Sequence, residues 1–215
     1  MNQLDLANFR EAAESLESDL AQIEKQTAVV RASYLARLGC CPPEPQFTLF
    51  DAENASDWRF NCGPAAVCAV TNMSPDDVRP KLLDFESKGY TNPTLMWGIL
   101  HGLYVRWVNL RPVFQSMWTV NLNDAIGLMR VQWGGPWCAE GRPPAARYRH
   151  THWVAWWKFG SEVFIFDINA MCVGGWLSFG EWHKQLAPWI IRECVPKGDG
   201  TFWPSHIVRI TGRRN

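Results

Sequence analysis

Two apolar runs, Thr151–Lys158 and Val163–Asp167, stand either side of Phe159-Gly160-Ser161-Glu162, and this arrangement restricts the fold more than any other feature of the chain. Runs of that length, rich in Val, Trp, Phe and Ile and joined by a short connection containing Gly, read as an antiparallel hairpin. Tyr104–Leu110, Val131–Cys138 and the closing run Ser205–Ile210 read as further strands. Helical patterns come mostly before them. One helix starts near Cys62, and a second follows Ser74-Pro75-Asp76-Asp77, where Ser74 caps, Pro75 takes the first turn and the acids suit the dipole. That second helix runs to Lys88 with a break or kink at Pro80 and stops at Gly89, and a third spans Thr94 to Leu103. Helices near Asn123–Arg130 and Phe179–Leu186 interrupt the strands. Helices first and an antiparallel sheet afterwards predict an α+β domain.

The first 38 residues form a segment apart. Phe9, Leu16, Ile23 and Val30 recur every seven residues, and Leu6, Ala13, Leu20, Thr27 and Tyr34 do the same at an offset of three or four. Two apolar rows sustained in this way predict a long amphipathic helix over 1–38. Gly39 ends it, and Cys41-Pro42-Pro43-Glu44-Pro45 makes a stiff linker over 39–46 before a domain that occupies 47–215. The seam suits either a homo-oligomer through this helix or packing against the chain's own domain.

Composition excludes several classes. Lysine plus arginine equals aspartate plus glutamate at 21 each, so no global field draws in nucleic acid or an anionic membrane. No stretch approaches the roughly 18 consecutive apolar residues of a membrane span, and the N-terminus lacks the basic and apolar regions of a secretory signal. Seven cysteines, with no paired C-x-x-C, point to mostly free thiols and a cytoplasmic, reducing setting, with signal-less secretion left open. The chain carries thirteen tryptophans; most belong in a core, and some can line a groove. There is no P-loop and no G-x-G-x-x-G, so no nucleotide or other cofactor is expected.

Three residues stand out for chemistry. Cys62 precedes Gly63-Pro64 at the start of a helical run, where the dipole and free N–H groups favour a thiolate. Alone, such a cysteine is more often structural. His152 opens the apolar strand, a place from which a side chain can reach a cleft, although an isolated case would be a surface cap. Asp167 ends four apolar residues, an odd site for a charge unless it is paired. In the predicted hairpin His152 and Asp167 share one open end, which supplies the contact between base and orienting acid that fixes an imidazole tautomer. A metal site built from His150, His152 and Cys138, Cys172 or Cys194 lacks zinc-like spacing. Trp133-Gly134-Gly135-Pro136-Trp137-Cys138 reads as a turn packed by two core tryptophans or as a border to a cleft, and His101, His183 and His206 read as structural.

Asn61-Cys62-Gly63-Pro64-Ala65, His152-Trp153-Val154 and an apolar strand ending in Asp167 together resemble the papain-like cysteine peptidases, closest to the bacteriocin-leader-processing branch. The likeness covers roughly Phe47 to Ile210 and leaves out the N-terminal helix. It implies a helical part carrying the nucleophile packed on an antiparallel sheet. It also implies Cys62 as nucleophile, His152 as base, Asp167 as orienting acid, and a protein or peptide substrate. Two positions depart from the family pattern. The glutamine that usually precedes the nucleophile and donates to the oxyanion is replaced by Ser56, leaving Asn54 or Gln46 as stand-ins beside the backbone N–H of Cys62. Asp167 is followed by Ile168-Asn169 rather than proline, so Asn169 is an alternative orienting residue. The expected function is a thiol-dependent hydrolase acting on peptide or isopeptide bonds. An inactive binding module of the same fold, or a related deamidase or acyl-transferase effector of bacterial or phage origin, is the alternative.

Overall fold

The computed structural model describes residues 62–82, 84–138 and 150–213, all within the unit Pro42–Asn215. The expected helix over 1–38, the linker over 39–46, and Gln46, Asn54 and Ser56 lie outside the described residues.

The described chain is α+β. Helix α1 (Cys62–Thr71) leads into a short α2 (Pro75–Val78), a 3-10 turn (Arg79–Lys81), α3 (Phe85–Lys88) and α4 (Pro93–Gly102). The sheet follows: β1 (Val105–Leu110), β2 (Asp124–Trp133), β3 (Thr151–Phe159), β4 (Glu162–Phe166) and β5 (Trp176–Ser178). After these come α5 (Phe179–Glu181), a π turn (Trp182–Leu186), α6 (Ala187–Cys194) and β6 (Phe202–Arg213). The strand order is β1-β6-β2-β3-β4-β5, with every neighbouring pair antiparallel.

Local chemistry accounts for the helix boundaries. Ser74 and Asp77 form a reciprocal capping box at α2, with Pro75 in the first turn. The helix predicted to run to Lys88 with a break or kink at Pro80 is three pieces: Pro80 has no N–H for an α-helical bond, and the chain tightens into the 3-10 turn there. Gly89, at φ 67°, closes α3 in the left-handed region. Asn92 caps α4 by accepting from the Leu95 N–H.

Two expectations are corrected. Asn123–Arg130 is not a helix: Asp124–Trp133 is one long strand, paired residue by residue with β3 and along most of its length with β6. From Ala125 to Met129 the strand is an unbroken apolar run, mostly buried, which local pattern cannot tell from a buried helix; the buried Arg130 and Gln132 restore alternation only beyond it. Gly127 lies where a Cβ would overlap Val208 O, a close backbone approach that explains the glycine inside a strand. The strand predicted over Val131–Cys138 stops at Trp133, and Pro136–Cys138 is a 3-10 turn. Strand β6 is also longer than its predicted core and contains Pro204. Its partner β1 pairs only from Ile207 onward, so Pro204 faces an edge where no ladder N–H is missed.

Both faces are covered at the middle of the sheet, where β3 is buried without a break from His152 to Lys158, whereas edge strand β1 is mostly half-buried or exposed. On one face Met129, Val131, Val154, Trp156, Val163 and Ile165 pack with Trp182, Ile190 and Ile191 of the C-terminal helical stretch. On the other, α1 packs against β3, and Trp153 Nε1 donates to Thr91 O just ahead of α4. Among the described residues no helix is long and apolar enough to cross a membrane.

Candidate active site

The hairpin register brings His152 and Asp167 together. Strands β3 and β4 pair from Phe159 and Glu162 back to Ala155 and Phe166, and there the ladder ends. Asp167 turns away to cap the 3-10 helix Ile168–Val173, so the first residues of β3 keep an edge free of β4. Helix α1 meets that edge: the Trp153 N–H donates to the sulfur of Cys62, and Cys62 shares a second hydrogen bond with His152. Sequence spacing is thereby converted into a continuous chain from thiol to imidazole to carboxylate.

His152 Nε2 lies 2.9 Å from Asp167 Oδ2, which leaves Nδ1 to face Cys62. Asp167 is completely buried, His152 nearly so, and Cys62 is the least buried residue of the three. Trp133 stacks on His152 with ring centroids 5.9 Å apart and an interplanar angle of 25°, which restrains the imidazole from one side.

The electrostatics follow from this geometry. Burial alone pushes the Cys62 thiol up, and the residual charge of Asp167 adds to that. The His152 imidazole opposite and the two hydrogen bonds outweigh both, and hold it below its ordinary value. Burial likewise pulls His152 down, but the Asp167 carboxylate, then Cys62, lift it well above the usual imidazole value. Burial raises Asp167, whereas His152 and the hydrogen bonds from Trp182 and Asn169 bring it below the usual carboxylate value. All three directions favour thiolate, imidazolium and carboxylate.

Asn169 does not take the place of Asp167 beside the imidazole. Its backbone N–H and its Nδ2 both donate to Asp167 Oδ1, at 3.0 Å and 2.9 Å, so it holds the acid that meets His152. Of the oxyanion candidates, Gln46 and Asn54 lie outside the described residues. The described glutamine nearest in the sheet, Gln132, donates its Nε2 to Trp133 O and His150 O. His150 packs on Trp137 at a centroid distance of 4.3 Å. Among the described residues no group of three or more His, Cys, Asp or Glu is arranged to hold a metal ion. The five described cysteines are free thiols.

The motif that opens α1 has its own local logic. A Cβ on Gly63 would overlap Thr91 Oγ1, so glycine lets the first turn of α1 press against the segment leading to α4. Pro64 costs nothing in the first turn, where its missing N–H would have no helical partner. Trp137 donates its Nε1 to Trp133 O at 2.8 Å, and both rings are buried, so the Gly134-Gly135 loop is a turn packed by two core tryptophans. Sequence reasoning offered the Trp133 loop as a border to a cleft without placing its ring on His152, and it missed the Trp153 N–H and Trp182 as neighbours of the site. No local signal marks Trp182, because it reaches the site from a later helix.

No family model matches the chain, and no curated protein or solved structure matches it either.

Proposed function

We propose that the protein is a thiol-dependent hydrolase of papain-like fold, a cysteine peptidase acting on peptide or isopeptide bonds through Cys62, His152 and Asp167. The observation that carries this reading is the unbroken hydrogen-bonded chain from the partly exposed Cys62 through His152 to the buried Asp167. An inactive binding module would be expected to turn His152 away from Cys62; their hydrogen bond favours the enzyme.

In this mechanism the Cys62 thiolate attacks the carbonyl carbon, and the N–H of Cys62 at the mouth of α1 donates to the oxyanion. His152 gives its Nδ1 proton to the leaving amine as the C–N bond breaks, which leaves a thioester on Cys62. His152, now neutral, takes a proton from water as that water attacks the thioester, and the acid product leaves with the thiolate restored. Asp167 keeps the imidazole in one orientation and stabilises its charged form. A deamidase or acyl transferase uses the same acyl-enzyme with a different leaving group or acceptor.

Alkylation of Cys62 by iodoacetamide, followed by mass spectrometry across pH, tests the proposal. Wild type should label rapidly near pH 6, and His152→Ala should label only as pH rises toward the ordinary thiol value of about 8.5. Profiles that coincide for the two proteins would remove the thiolate–imidazolium pair and the mechanism with it.

A further inference from the structure

Asp167 receives more hydrogen bonds than orienting one histidine requires. A carboxylate offers about four lone-pair directions. Asn169 fills two on Oδ1, and His152 Nε2 takes one on Oδ2. The fourth donor comes from fifteen residues further along the chain: Trp182 Nε1 donates to the same Oδ2 at 2.9 Å. Trp182 is completely buried and opens the π turn Trp182–Leu186, in which the Ala187 N–H bonds back to Trp182 O. Pro188 has no N–H to give the preceding turn, a local reason for the helix to widen there. A π turn changes the face that a helix presents, and such turns often occur at functional sites.

We propose that Trp182 is a positioning residue of this site: its indole N–H shares Asp167 Oδ2 with His152, selects the oxygen and plane the imidazole meets, and tempers the carboxylate's grip on the imidazole proton. The role in catalysis rests on the peptidase reading above; the coupling between indole and imidazole does not. A carboxylate with one lone pair unfilled is a stronger base and binds the imidazolium proton more tightly. An acid that must hand a proton to a leaving amine works best when its affinity stays near the operating pH. The indole N–H pulls in that direction. A packing role alone would be served by the aromatic cage of Phe114, Phe179 and Phe202, whose centroids lie 5.9–6.4 Å from the Trp182 ring.

Among the described residues, the titratable groups facing Asp167 are His152 from β3 and, beyond it, Cys62 from α1. On the π turn itself, His183 packs among the rings of Phe114, Phe179 and Phe202 rather than on the carboxylate. Lys184 on the same turn acts on His183.

The test is the titration of the His152 imidazole, followed by nuclear magnetic resonance in the full chain. Trp182→Phe keeps the buried ring and deletes the N–H. The His152 midpoint should move up by about half a pH unit or more. A lower melting temperature with an unmoved midpoint would make Trp182 a packing residue only and overturn the proposal. Should the variant not fold, the wild-type indole signal decides. The Trp182 N–H resonance must shift with the same midpoint as His152, and a signal flat through that titration overturns the proposal equally. Iodoacetamide labelling of the same samples reports separately on the thiolate, so a failed peptidase reading and a failed role for Trp182 give different results.

Discussion

Asp167 is the residue on which the rest of the site leans. It is fully buried and is hydrogen-bonded to His152, Trp182 and Asn169, which together favour its charged form. Removing a partner from such a pair strands the others in a dry interior, which costs about 3–5 kcal/mol. Asp167→Ala should therefore lower the urea-unfolding free energy by about that amount, and Asp167→Asn by less, since it keeps the shape and one oxygen. Both should also abolish the rapid labelling of Cys62 below neutral pH, because His152 loses the charge that holds its proton. A variant that unfolds more easily yet labels as wild type does at pH 6 would show that Asp167 is structural without orienting the imidazole. The identity of this acid was legible in the sequence because a charge closing an apolar strand needs an explanation. The choice between Asp167 and Asn169 was not legible. Alternation places both on one face, and only the departure of the chain into a 3-10 turn decides which reaches His152.

At the level of elements, two glycines mark where backbones come closest. Gly63 lets α1 press on Thr91, and Gly127 lets β2 lie under Trp156 and against Val208 O. The two positions should respond differently to alanine. At Gly63 the obstacle is the Thr91 side chain, its Cβ included, which α1 can clear only by shifting as a whole, so Gly63→Ala should cost about 1–3 kcal/mol and displace Cys62 from His152. Thermal unfolding and labelling rate would report both effects together. At Gly127 the obstacle is a backbone carbonyl that cannot move without parting β2 from β6, so Gly127→Ala should be the more damaging of the two in the same unfolding assay. The reverse order would mean that α1 is less free to adjust than the sheet. The strand holding Gly127 was misread as a helix for a related reason. Burial on both faces removes the polar alternation by which a strand is recognised, and pairing with β3 and β6 overrides the local pattern.

For the molecule as a whole, the site makes stability depend on pH. Asp167 has a folded pKa below its ordinary 3.8, so its contribution is complete above that value and is lost as pH falls through the depressed one. His152 is raised, so its contribution is complete below 6.5 and is lost as pH rises through the elevated value. Cys62 is lowered from 9.0, so its contribution accrues on the alkaline side and opposes the loss from His152. The acid limb is thus the cleaner readout. The difference in melting temperature between wild type and Asp167→Asn should shrink as pH falls below about 4. A difference that stays constant down to pH 2 would show that Asp167 is not ionised in the folded protein.

The sequence by itself determined the α+β class, the Cys-Gly-Pro start of α1, the hairpin of β3 and β4, and the three residues that meet. Each rests on a local rule: apolar periodicity, a capping residue, a charge out of place. The tertiary structure alone decided that Asp124–Trp133 is a strand and that Asp167 rather than Asn169 faces the imidazole. It also brought Trp133 and Trp182 to the site from β2 and from a later helix. Those outcomes depend on contacts between residues far apart in the chain, whose free energy outweighs the local preferences that a linear reading can see.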